Sequence, residues 1–189
     1  MKNRAIWLVP ILFFCAAMGQ AADYGFFVKS AEVVRSDKGY LLNADIEYRF
    51  SQRAADALKH GVPLTTVVKI RLYRYRRFIW NKTVFSQDLT FRLSYHALRK
   101  RYRVFDDSSG SPQYFASLEP ALAMMGRLRG LPVMNSDEIE PDTRYEARLK
   151  VFLDIEALPL PLRSIAYLIP QWYISSGWYT WSLDELNRR

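Results

Sequence analysis

Few residues in this chain could carry catalytic chemistry. It has two histidines, His60 and His96, and one cysteine, Cys15. Neither histidine belongs to a His-x-x-x-His pair, so zinc would have to take most of its ligands from carboxylates, an uncommon donor set. A serine triad would need one of the two as its base, and no Gly-x-Ser-x-Gly elbow accompanies them. A glycine-rich phosphate loop and a dinucleotide fingerprint are also missing. Asp106 and Asp107 in "DDSSGS" lack the regular spacing of a calcium loop and read as a polar turn. Asp137, Glu138, Glu140 and Asp142 form an acidic, solvated loop. The sequence therefore nominates no catalytic residue, no metal ligand and no cofactor. Carboxylates distant in sequence can still pair in space, which keeps a hydrolase of envelope polymers as one alternative.

Binding chemistry has a stronger signal. "KIRLYRYRRFIWNK", residues 69–82, interleaves cations with aromatic rings. Val68, Ile70 and Leu72 take one phase of a strand, with Lys69 and Arg71 on the other. Beyond Leu72 the phases invert: Tyr73 and Tyr75 fall with the charges, Arg74 and Arg76 with the apolar residues, and Arg77 follows. Either a bulge flips the strand or it outruns the core with both faces wet. A second stretch, "LRKRYRVF", places Arg99, Arg101 and Arg103 on one face. If both strands belong to one sheet, their basic faces form a shared partner-binding patch. The competing account is structural. Basic stems cover apolar edges and stack on tyrosines, and charged edges deter unwanted strand pairing.

The N-terminus decides which anions such a patch would meet. "MKNRAIWLVPILFFCAAMGQAAD" has a basic start in Lys2 and Arg4, an apolar run from Ala5 to Met18, and small residues at Gly19 and Ala21. This is the form of a secretory signal peptide over residues 1–21, cleaved after Ala21. The run is too short for a comfortable membrane span, with a retained anchor as the alternative. Cleavage removes Cys15, so the exported chain has no disulfide or thiolate chemistry. It also takes the 27 basic residues to 25 against 19 acidic ones, a net charge of +6. For an exported protein the expected partner is an acidic protein face or an anionic envelope component; no nucleic acid is expected. Membrane contact is expected only through the transient signal segment.

The elements that must position these residues are strands. "YLLNADIEYRF", "FSQDLTFRLSY" and "RYEARLKVFLDI" each alternate with period two, with one apolar and one polar face, as in antiparallel sheets. "SDKG" should close a hairpin, with Gly39 taking positive φ. Ser51 should cap a short helix over "QRAADALKH", with His60 closing its end, while His96 sits at a strand end. Ser117 should cap a second helix over "LEPALAMMGRLR", with Arg127 and Arg129 in its last turn and Gly130 terminating it. The aromatic run "PQWYISSGWYTWSL" reads as a last strand buried between layers, or as an exposed platform for sugar, lipid or protein. Seven or eight strands and two helices predict a mainly β, antiparallel β-sandwich-like domain with two short accessory helices, spanning residues 22–189; an open α+β sheet is the alternative.

Several blocks in order, "GYLLNADIEYRFS", "GVPLTTVVKI", "RLSYHALRKRYRV", "LDIEALPLPLR" and "SSGWYTWSL", resemble the family named domain of unknown function 4390. These are exported proteins of Gram-negative proteobacteria, some described as proline-rich signal peptide proteins. The resemblance implies a periplasmic location and no known activity. It further implies an accessory role beside a membrane sensor kinase, since such genes often neighbour one. It supplies no catalytic residues. The expectation is a non-enzymatic periplasmic binding or interaction module; the alternatives are a carrier of an apolar or glycolipid ligand and the carboxylate hydrolase.

Overall fold

The computed structural model describes residues 23–37, 39–75, 81–138, 140 and 143–183. Residues 1–21, expected to form a signal peptide, lie outside the described residues, as do Arg76, Arg77 and Asp142. Nine strands form two antiparallel sheets among the described residues. In chain order they are β1 (Gly25–Ser36), β2 (Gly39–Arg49), β3 (Leu64–Arg74), β4 (Lys82–His96), β5 (Arg101–Asp106), β6 (Pro112–Phe115), β7 (Arg127–Met134), β8 (Tyr145–Leu153) and β9 (Ser175–Ser182). The small sheet runs β1-β2-β7, and the large one runs β6-β5-β4-β3-β8-β9.

The alternating segments behave as the hydrophobic pattern requires. Tyr40, Leu42, Ala44, Ile46 and Tyr48 of β2 are buried, as are Leu89, Phe91 and Leu93 of β4 and Tyr145, Ala147, Leu149, Val151 and Leu153 of β8. With Val68, Ile70 and Leu72 of β3 they make one hydrophobic cluster drawn from both sheets. Each such side chain contributes about 1.5–3 kcal/mol on burial, which sets the two sheets face to face. The fold is mainly β and β-sandwich-like.

Three α-helices punctuate the strands: α1 (Gln52–Lys59), α2 (Leu118–Gly126) and α3 (Leu160–Ala166). Ser51 caps α1, its hydroxyl accepting from Ala54 N at 3.3 Å, and His60 closes it. The third helix was not expected from "ALPLPLR". Its prolines lie at the N-cap and in the first turn, where a missing N–H costs little. No helix among the described residues is long and apolar enough to cross a membrane.

The second helix departs from expectation. It stops at Gly126, and Arg127, Arg129 and Gly130 belong to β7, paired with β2 rather than winding onward. Local propensity favoured helix; the ladder to β2 overrides it. A Cβ on Gly126 would stand 2.1 Å from the Ile46 carbonyl oxygen, so only glycine lets the helix end approach the sheet. Gly39 has a similar constraint: it takes φ +142°, and a Cβ there would lie 2.3 Å from the Met134 carbonyl oxygen. The β1–β2 turn is as expected, and its glycine also admits β7.

One polar pair interrupts the interior. The Tyr48 hydroxyl and Thr66 Oγ1 are both buried beside one another, and among the described residues neither has a partner elsewhere. Burial raises the Tyr48 phenol well above its ordinary range. Replacing both by apolar groups of like shape, Tyr48→Phe with Thr66→Val, should leave stability unchanged or higher in urea titrations. Gly126→Ala, by contrast, should cost about 1–3 kcal/mol or more through the Ile46 clash, read as a lowered denaturation midpoint.

Candidate functional site

Strands β3 and β5 share the large sheet, with β4 between them. The registers put Lys69, Arg71 and Tyr73 of β3, Arg92 of β4, Arg101 and Arg103 of β5, and Arg148 and Lys150 of β8 on its outer face. Ile70, Leu72, Ala147 and Leu149 turn inward and are buried, and the neighbouring phase takes the opposite face, where Lys69, Arg71, Arg148 and Lys150 are half-buried and Thr65 and Val67 are buried. Lys69 lies opposite Asp88, and Arg103 opposite Ser94, six residues further along β4. That spacing is roughly 20 Å at about 3.3 Å per residue. The basic strands therefore share one face but form two clusters along it.

The break after Leu72 has a specific cause. The extra residue is Val84 on β4, since Leu72 pairs with Phe85 and Tyr73 with Thr83. The β3 strand keeps its alternation: Tyr73 stays outward opposite Glu146, while Arg74 falls inward opposite Tyr145. Its side chain is only 14% exposed and forms an ion pair with Glu140. Arg74 thus does not join the outer face. A guanidinium on the apolar phase survives because the phase has reached the core's edge, where a carboxylate neutralises it. Tyr75 follows the strand's end and is exposed. Arg99 lies in the β4–β5 turn, away from the central cluster.

In the central cluster, cations face cations. Lys69 pairs directly with Lys150, and Arg71 with Arg148, on adjacent antiparallel strands. Like charges directly opposed on one face are destabilising. The two nearby carboxylates go to the arginines: Asp88 to Arg71 at 2.7 Å and Glu146 to Arg148 at 2.5 Å. Arg71 also donates to the Ile70 and Gln87 carbonyls at 2.8 and 3.0 Å. Among the described residues the lysines have no ion pair. They rest on rings instead, Lys69 at 5.2 Å from the Phe152 centroid and Lys150 at 5.9 Å from Phe152 and Trp178. Sequence reasoning missed Arg148 and Lys150. The signal was present in the polar phase of "RYEARLKVFLDI", which only the β3–β8 pairing brings beside Lys69.

The aromatic C-terminal strand divides. Trp172 is buried beyond α3, but Trp178 on β9 is 47% exposed and Tyr179 is exposed as well. The expectation of a strand buried between layers fails, because β9 is an edge of the large sheet and Trp178 faces outward opposite Lys150.

Carboxylates do gather at one concavity of about 350 Å³ between β2 and α2, lined by Asp45, Glu47 and Glu119. A hydrolytic pair needs one carboxyl kept protonated. Here the Arg129 guanidinium, donating to Asp45 at 2.6 Å, holds that carboxyl below its ordinary range. Arg49 and Lys29, each at 2.6 Å, do the same to Glu47. These are cation partners rather than proton donors. Among the described residues, no three His, Cys, Asp or Glu side chains come together as a metal site.

Residues 24–182 match the family described as "Domain of unknown function (DUF4390)", and the chain belongs to it. No curated protein and no solved structure matches the chain.

A carboxylate with a depressed folded-state pKa contributes stability above its unfolded-state pKa and loses it as pH falls through the folded one. The stability gap between the native protein and Glu47→Gln should therefore be present at neutral pH and close only below about pH 4. Urea titrations of both across pH 7 to 3 would check this.

Proposed function

We propose that this protein is a non-enzymatic binding module of the bacterial periplasm whose central cationic cluster meets an acidic protein surface. The observation that carries this reading is the doubled like-charge ladder, Lys69–Lys150 beside Arg71–Arg148, on a half-buried sheet face. A purely structural surface would be more stable with opposite charges on those rungs. An acidic partner would relieve the repulsion that the free domain retains. The ring-backed lysines and exposed Trp178 add the combination of rigid apolar area and charge that suits an interface.

The test is photo-crosslinking in cells from Thr180, which stands opposite Arg148 on the outer face, with Val34 on β1 as control. Adducts to acidic envelope proteins should form from Thr180 alone. They should weaken with added salt, since exposed charges are screened. They should disappear in Lys69→Glu with Lys150→Glu. Equal adducts from both positions, or indifference to salt, would sink the reading.

The free protein should show the converse. Lys150→Met keeps the stem and removes one charge of the ladder, and should raise stability by up to about 1 kcal/mol at low salt. The cation–π contacts given up, at 5.9 Å, lie at the limit of that interaction's range and offset little.

A further inference from the structure

The two histidines, 36 positions apart in sequence, line one concavity of about 690 Å³. Its wall also carries Lys59, Tyr95, Arg99, Arg103 and Tyr114, and among the described residues no carboxylate. The fold brings these groups together from four places. Lys59 and His60 end α1; His96 ends β4; Arg99 sits in the turn that follows; Arg103 and Tyr114 pair directly across β5 and β6. The site is at the far end of the outer face from the Lys69–Lys150 ladder, roughly 20 Å along β4.

Two details describe the basic groups at this wall. Arg103 Nε is buried with no hydrogen-bond partner among the described residues, and its guanidinium lies 5.8 Å from the Phe105 ring centroid. Among the described residues Lys59, Arg99 and Arg103 form no ion pair. His60 Nδ1 lies 2.7 Å from the Asp56 carbonyl oxygen, which can only accept. That ring nitrogen therefore donates to the helix end, which fixes the ring and leaves Nε2 as its remaining polar atom. Lys59 and His60 also sit at a helix C-terminus, where the dipole favours cations.

We propose that this concavity binds a phosphate monoester. Two guanidiniums and an ammonium supply more donors than the two oxygens of one carboxylate can use. Three phosphate oxygens carrying close to two charges match them, and the guanidinium fork fits phosphate geometry. The volume suits a small headgroup rather than a polymer. The site is separate from the proposed protein-docking cluster and does not rest on it.

The experiment uses the two histidines as reporters, because imidazole NMR spectra of the protein contain two sets of signals. Titration with inorganic phosphate at constant ionic strength, against chloride, should shift both sets along one saturable curve. Arg99→Gln with Arg103→Gln should weaken binding at least about tenfold, the effect of losing charge-assisted hydrogen bonds. Since Arg103 is partly buried, the exposed pair Lys59→Gln with Arg99→Gln provides a second variant with the same expectation. Lys69→Glu with Lys150→Glu should leave phosphate binding unchanged, which separates this site from the ladder.

Sedimentation with phosphatidylcholine vesicles, with and without phosphatidic acid, then identifies the source. Phosphatidic-acid-dependent binding, lost in Lys59→Gln with Arg99→Gln, assigns the monoester to a lipid headgroup; phosphate binding without it assigns a soluble ester. Unsaturable shifts, equal shifts with chloride, a response from only one histidine, or full binding by a folded Lys59→Gln, Arg99→Gln variant would each overturn the proposal.

Discussion

The strict period of two along a strand links the two faces of the large sheet. Ile70 and Leu149 are buried opposite one another, so Lys69 and Lys150, one residue on, must emerge opposite one another on the other face. Slipping either strand by one residue would relieve the repulsion but turn a run of leucines and valines outward, at far greater cost. Core burial therefore enforces the like-charge ladder. The sandwich determines where the lysines point, and the charges cannot alter the register that places them.

The same dominance of packing over local preference explains the second helix. "LEPALAMMGRLR" has helix formers on both sides of Gly126, yet the chain leaves the helix at that glycine to pair with β2. Glycine permits that departure by letting backbone meet backbone at Ile46. Arg127 and Arg129 then serve the sheet. Arg129 donates to the Ala44 carbonyl at 2.8 Å and to Asp45, helping to hold that carboxylate ionised. The lowered pKa of Asp45 thus depends partly on the helix ending early.

The large sheet divides its cationic face by position along the strands. In the middle, arginines are committed to carboxylates and carbonyls, and lysines lie over aromatic rings. At the end, beside the last turn of α1 and the β4–β5 turn, the basic groups line an open concavity. A broad face suits an acidic protein surface, and a concave one suits a small anion. Six strands are enough to present both because a 15-residue strand, β4, spans the distance between them.

Much of the architecture was legible in the sequence. Alternation in "YLLNADIEYRF", "FSQDLTFRLSY" and "RYEARLKVFLDI" identifies the buried faces, and Ser51, His60 and Gly39 mark helix and turn ends, because these are short-range preferences within a few residues. The family is likewise readable from ordered blocks. Pairing is a different matter. Which strand lies beside Lys69, whether Arg74 faces water or Glu140, and that His60 and His96 share a cavity depend on contacts many residues apart. Those depend on how two sheets bury their apolar faces together, an energy no local segment carries, so only the tertiary structure decided them.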